Sequence, residues 1–343
     1  MSGELTIPFR PSVILDSNIV SYLNQFVIKR QALQPARRRV IERFLKFVIG
    51  NGLDFNPFFY YIEGVLENKQ PSHASYLSSS ESMLRLHTMD GQYFLSCGEI
   101  RIDPRLLDLY KQEYGADAIP QMAEKFTRNM IAPSDFRIEW IVKLTYAAIM
   151  KTALIHKNSK REILGKYSEL QDFMENTFNI ALGRERIMAI EYFAGGFDDA
   201  IPVQRGANPE RALARLRSTA RDLLLLYLPE IMLVAKMQDG VCVSSITTAD
   251  RALARIAKAS RIDAVMAWAP DTETPLPVLS TNLSAMKAYL GTDVVEKIQE
   301  MDASWQKSRI LRLTHPETRI SVDRLDELIA NLEGEITNFC NGS

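Results

Sequence analysis

Four carboxylates stand in settings that suit a bound cation. Asp16 ends the apolar run Ser12-Val13-Ile14-Leu15, and Asp250 ends Thr247-Thr248-Ala249 after an apolar, β-rich stretch. Both positions read as the carboxyl ends of strands, and in a parallel sheet ligands bind outside those ends. Asp222 borders the apolar face of a helix in Arg221-Asp222-Leu223-Leu224-Leu225-Leu226. Glu63 lies in the aromatic helix Tyr60-Tyr61-Ile62-Glu63-Gly64-Val65-Leu66. A carboxylate at a buried boundary is costly unless it is paired or bound to a cation. Together the four suit Mg²⁺ or Mn²⁺, hard cations that take oxygen ligands and need no histidine. Such a metal activates water and neutralises charge on a phosphate. Plainer roles compete at each position. Aspartate is a favoured helix cap, which covers Asp16 and Asp250. Asp222 has Arg215 and Arg221 as ion-pair partners within reach, and Glu63 has a place on a solvated helix face.

Basic residues cluster although the chain as a whole is neutral. Lys29, Arg30, Arg37, Arg38, Arg39, Arg43 and Lys46 face a single acid, Glu42, across residues 29–46. Arg211 and Arg215 are four apart and share one side of a helix with Asp222. Arg251, Arg255 and Lys258 form another stripe just after Asp250. Such residues hold a phosphate backbone without reading its sequence. The alternative for each stripe is a solvated helix face with local ion pairs. Tyr60 and Tyr61 offer rings for base stacking, or belong to the core.

Composition narrows the classes. The chain has 343 residues, room for about two domains at roughly 150 residues each. Lys and Arg total 41 against 42 Asp and Glu, a net charge of −1, which excludes a globally basic nucleic-acid coat. Cys97, Cys242 and Cys340 are far apart, so neither a disulfide framework nor a zinc ribbon is expected. His73, His87, His156 and His315 lack metal-motif spacing, and Asp198-Asp199 after Gly195-Gly196 reads as a loop pair. The motifs GxxxxGK[ST], GxGxxG and GxSxG are missing from the sequence. The opening MSGELTIPFRPS has no apolar h-region. The apolar stretches 139–156 and 222–237 are too short or too charged to span a bilayer. A cytoplasmic protein that does not engage a membrane is the expectation.

The elements that must position the acids follow from pattern. A strand over 12–15 precedes a helix over 19–28. A second helix covers 36–49, where Ile41, Phe44, Leu45 and Val48 recur at helical spacing and Gly50-Asn51-Gly52 ends it. Asn56-Pro57 predicts a third helix, with asparagine as cap and proline at the first helical position. Residues 67–204 read as helical, punctuated by Pro71, Pro104, Pro120 and Pro133. Asn208-Pro209 opens a helix over 210–236, with a bend expected at Pro229. A strand at 241–246, a helix at 251–260 and a strand at 262–268 form a parallel βαβ unit. Residues 270–280 read as a proline-rich linker, and 281–343 as amphipathic helices.

The series Val13-Ile14-Leu15-Asp16-Ser17-Asn18, an internal glutamate, a helical aspartate and Thr248-Ala249-Asp250 resembles the PIN-domain nucleases. The resemblance implies an α/β fold: a PIN-like parallel sheet flanked by helices, whose acidic cluster binds Mg²⁺ or Mn²⁺ and cleaves RNA, with DNA as the other substrate to consider. It assigns the nuclease core to 11–66 and 205–271. A helical insertion fills 67–204, and a linker with a helical extension fills 272–343. The 159 positions from Glu63 to Asp222 require that insertion. Asp16, Glu63, Asp222 and Asp250 become the catalytic metal ligands. Asn18 and Thr248 are supporting neighbours, and Glu230 is a rival or extra ligand eight residues past Asp222. Arg37, Arg38, Arg39, Arg211, Arg215, Arg251 and Arg255 become the nucleic-acid contacts. The insertion and tail offer surfaces for a second copy or a regulatory protein. A degenerate PIN-like module that binds RNA or protein without cleaving is the rival expectation. A haloacid-dehalogenase-type phosphatase would want an aspartate where Asn18 stands.

Overall fold

In the computed structural model of the chain, residues 9–67, 73–131, 136–180, 182–196, 198, 200–234, 241–259, 283–313 and 320–342 are described. The fold is mostly helical with a small three-stranded parallel sheet, an α/β arrangement. The chain divides into two compact units, Met1–Asp135 with Leu225–Ala249, and Phe136–Leu224 with Asp250–Ser343.

The first unit is built around the sheet. Strand β1 (Phe9–Leu15) leads into helix α1 (Ser17–Lys29) and then α2 (Pro35–Gly50), β2 (Asp54–Asn56) and α3 (Phe58–Leu66). Helices α4 (Ala74–His87), α5 (Gly91–Cys97), α6 (Pro104–Tyr114) and α7 (Ile119–Ile131) follow. The strand order is β2-β1-β3, all parallel, with β3 spanning Val241–Thr247. Strand β1 is central, and Val13, Ile14 and Leu15 are all buried. A strand covered on both faces needs an unbroken apolar run rather than alternation, which is what these residues supply. The register sets Ser12 opposite Ser244 on one side and Asp54 on the other. Pro11 pairs with β3 alone, beyond the end of β2.

Helices α1 and α2 sit where the periodicity placed them. Val20, Leu23 and Phe26 of α1 and Ile41, Leu45 and Val48 of α2 enter one core with Phe55, Tyr61, Tyr76 and Phe126. After α2, Gly52 takes φ +60°, a left-handed turn that glycine adopts without strain. Strand β2 was not visible in the sequence. It is three residues long with one buried side chain, Phe55, too short to print a pattern. It also shifts the start of α3: Pro57 is the N-cap, not the first helical residue. Asn56 still acts locally, its Oδ1 accepting from the Phe58 amide at 2.9 Å.

Among its described residues the second unit is helical. It holds α8 (Phe136–Asn158), α9 (Ile163–Phe173), α10 (Gly183–Phe193), and the first part of α11 (Pro209–Val234). Helices α12 (Arg251–Ala259), α13 (Lys287–Leu290), α14 (Thr292–Leu313) and α15 (Val322–Asn341) complete it. Asn208 caps α11 as expected, accepting from the Arg211 amide at 2.9 Å. The helix continues through Pro229. Helix α10 is buried around its circumference, charges included. Arg186 is held by Asp302 of α14 and by the Tyr167 hydroxyl, 2.7 Å from its NH2 group. Tyr146 and Arg217 both donate to Glu333, which ties α8 and α11 to α15. The strand expected at 262–268 and the linker at 270–280 lie outside the described residues.

Candidate functional site

Asp16 and Asp250 each occupy the residue before a helix, but they use their carboxylates differently. Asp250 caps α12: its Oδ1 accepts from the amides of Ala252 at 2.7 Å and Leu253 at 3.0 Å. This is the plain helix-cap role, which satisfies two amides that the helix leaves open. Asp16 is the N-cap of α1 by position, with extended backbone, yet its side chain makes no cap hydrogen bond. Its carboxylate accepts instead from the Thr248 hydroxyl, Oγ1 to Oδ2 at 2.7 Å. The main chain of Asp16 is fixed from both sides. Its amide donates to Thr247 O at 3.0 Å, and its carbonyl accepts from Ile19 and Val20. At 7% exposure, Asp16 is a buried charge at the end of the central strand.

Glu63 joins the same end of the sheet through Ser17. The Ser17 hydroxyl donates to Glu63 Oε2, and Ser17 directly follows Asp16. Helix α3 carries Glu63 to this place because the next residue is glycine. A Cβ on Gly64 would lie 1.1 Å from the Tyr76 hydroxyl oxygen and 2.3 Å from Tyr76 Cζ. So α3 rests directly on the Tyr76 ring, and only glycine permits that approach. The Tyr76 hydroxyl is buried and has no hydrogen-bond partner among the described residues. Burial above all, with Tyr60, Glu67 and Glu63 nearby, drives its pKa far above the usual phenol range. Sequence reasoning missed Ser17, Thr248 as a partner of Asp16, and Tyr76, because each acts on a residue of another element. The phrase Thr248-Ala249-Asp250 pointed to Asp250, whereas the hydroxyl in it serves Asp16.

The remaining predicted residues fall in other places. Asn18 is exposed on the first turn of α1. Glu230 is buried at 8% exposure on α11 and has interactions within the protein. Arg37, Arg38 and Arg39 are exposed on α2. The Arg37 guanidinium lies 4.4 Å from the Tyr22 ring centroid, and Arg38 Nε is 3.7 Å from Glu42. Arg37 and Arg38 thus have structural contacts, and all three arginines face solvent.

Within the second unit, five of the predicted residues share one cleft. Arg215, Asp222, Asp250, Arg251 and Arg255 line a cavity of about 630 Å³, together with Gly195, Gly196, Asp198 and Thr219. Arg211 is exposed on α11 and is not in the lining. Asp198, read from sequence as a loop residue, is in it. The glycine pair before Asp198 is the signal that was there to be used. Gly195 takes φ +90°, and a Cβ on Gly196 would lie 3.1 Å from Glu191 O and 3.5 Å from an Arg255 nitrogen.

Two oxygen donors suffice for Mg²⁺, which commonly takes one or two carboxylates and fills its shell with water and substrate phosphate. In the first unit Asp16 and Glu63 are the acids whose hydroxyl partners, Thr248 and Ser17, meet the end of β1. Among the described residues no group of three or more His, Cys, Asp or Glu side chains is placed to hold a metal ion. Among the same residues no helix is long and apolar enough to cross a membrane. The chain matches no protein-family model, no curated protein and no solved structure.

Proposed function

We propose that the chain is a PIN-like, metal-dependent phosphodiester hydrolase acting on RNA in preference to DNA, with Asp16 and Glu63 as its central acids. One observation carries this reading. Asp16 stands in a helix-cap position, declines to cap, and instead lies buried against a threonine hydroxyl beside Glu63's serine partner. Leaving a cap unused forgoes about 1 kcal/mol, and burying a carboxylate costs more. A fold that bears both costs at the carboxyl end of its central strand is keeping a charge there for a ligand.

Bound at Asp16 and Glu63, Mg²⁺ or Mn²⁺ would supply Lewis acidity toward a phosphodiester and an activated water. The chain's own residues do the rest. Thr248 and Ser17 donate to the two carboxylates and fix their orientation. The exposed arginines of α2 offer phosphate contacts that carry no sequence information. Asp250 is committed to capping α12, so the reading does not require it as a ligand.

The test is Mn²⁺ titration by calorimetry beside a labelled single-stranded RNA cleavage assay. Asp16→Asn and Glu63→Gln are each expected to abolish cleavage and weaken metal binding while retaining the native circular dichroism spectrum. Full cleavage in either variant would overturn the assignment. A second reading, an RNA- or protein-binding module of PIN-like fold without catalysis, is favoured by Asp250, whose carboxylate is spent on capping α12. It requires RNA binding that ignores both metal and the two substitutions.

A further inference from the structure

The second unit carries a cleft whose lining suits a ligand of its own. Its volume of about 630 Å³ lies within the range of small-molecule pockets. Three guanidinium groups, Arg215, Arg251 and Arg255, enter the lining from α11 and α12. Guanidinium is the side chain best matched to phosphate, through paired charge-assisted hydrogen bonds. The α12 amides of Ala252 and Leu253 are already taken by Asp250, so holding an anion falls to the arginines. Arg215, Asp222, Asp250 and Arg255 each make contacts within the protein, so they are held in place before any ligand arrives.

The lining is not purely cationic. Asp198 and Asp222 face the same space as the arginines. Inorganic phosphate has no use for two carboxylates. A nucleoside phosphate does, because its ribose hydroxyls and base amino groups are donors that need acceptors. An aromatic ring stands nearby. Glu191 is held by the Tyr289 hydroxyl through Oε1, and its Oε2 lies 3.9 Å from Arg255 Nε. Glu191 O also accepts from the Gly196 amide at 2.9 Å, so one residue braces the glycine loop, the lining arginine and the tyrosine. Tyr289 is 51% exposed, leaving its ring open to stack.

We propose that this cleft binds a nucleoside phosphate, with the arginines on the phosphate, Asp198 and Asp222 on the sugar or base donors, and Tyr289 beside the base. The site stands on the second unit alone and is independent of hydrolysis at Asp16 and Glu63. The ligand has two sources, a free nucleotide or the terminal nucleotide of an oligonucleotide.

Calorimetry and thermal unfolding of the full chain with AMP, ADP, adenosine, inorganic phosphate and a short 5′-phosphorylated RNA test it. The nucleotides are expected to bind and raise the melting temperature, with adenosine and phosphate each far weaker. Arg251→Ala, at an exposed position, should weaken nucleotide binding about tenfold or more. Tyr289→Phe should retain most affinity, and Tyr289→Ala should lose several-fold by removing the stacking face. Failure of the 5′-phosphorylated RNA to displace bound ADP would refute the terminal-nucleotide source and leave the free nucleotide. Equal affinity for phosphate and nucleotide, or nucleotide binding unchanged in Arg251→Ala and Arg255→Ala, would overturn the proposal. So would the lack of any nucleotide binding at millimolar concentration. Asp16→Asn should leave nucleotide binding unchanged, which separates this site from the proposed hydrolytic one.

Discussion

Thr248 donates its hydroxyl to Asp16 at 2.7 Å, and this bond joins the end of β3 to the end of β1 across 232 positions of sequence. The two residues lie just past strands already paired in register from Phe9–Val241 to Leu15–Thr247. The sheet therefore delivers donor to acceptor without help from either side chain's flexibility.

Removing that donor should be felt in both stability and activity. Thr248→Val keeps the shape and deletes the hydroxyl, leaving a buried carboxylate one hydrogen bond short. A loss of about 1–3 kcal/mol is expected in urea unfolding. Cleavage should fall in parallel, and Thr248→Ser should restore most of both.

Gly64 should tolerate no side chain. A Cβ there would lie 1.1 Å from the Tyr76 hydroxyl oxygen and 2.3 Å from its ring carbon Cζ, so α3 or Tyr76 must shift. Gly64→Ala is expected to cost about 1–3 kcal/mol as an overpacked core. Adding Tyr76→Leu to the same chain should recover part of the loss, which equilibrium unfolding of the double variant would measure.

The Arg186–Asp302 pair should be intolerant of losing one partner. Both side chains are largely buried, at 10% and 15% exposure. Asp302→Ala takes the carboxylate from a largely buried guanidinium, at a cost of about 3–5 kcal/mol. Arg186→Met with Asp302→Leu should be milder than either single change, and a double-mutant cycle would show the coupling.

His156 should make stability depend on pH. Burial first, then the charges of Lys166 and Lys157, lower its pKa to about 4 from the usual value near 6.5. The unfolded chain binds a proton there at a higher pH than the native one does. Its contribution is therefore complete above pH 6.5 and lost as pH falls toward 4. Unfolding melts across this window should show a slope that His156→Phe reduces.

The elements were legible where pattern is local, and the site was legible only in part. The β1 run, the α2 stripe of Ile41, Leu45 and Val48, and the Asn208 cap each follow from residues within one turn or strand. Strand β2 escaped because three residues print no alternation. Asp16 and Asp250 looked alike in sequence, both aspartates between a strand and a helix. Only the tertiary partner of Asp16 tells them apart. Helical spacing set Arg215 beside Asp222 on one helix and Arg255 on the helix after Asp250, but bringing those two helices together with Asp198, Glu191 and Tyr289 is tertiary, and no spacing connects them. Hydroxyl donors such as Ser17 are common residues, so their type alone carried no weight.

The register of β1 against β3 also has a consequence for synthesis. When β1 leaves the ribosome its only available neighbour is the three-residue β2, and β3 follows some 230 positions later. At about 5–20 residues per second the central strand waits on the order of ten seconds or more with one edge unpaired. Val13, Ile14 and Leu15, later its most sheltered residues, are in that interval an apolar segment open to other nascent chains. The sheet's long-range closure thus leaves this segment uncovered late into synthesis, and yield should rise when translation is fast relative to aggregation.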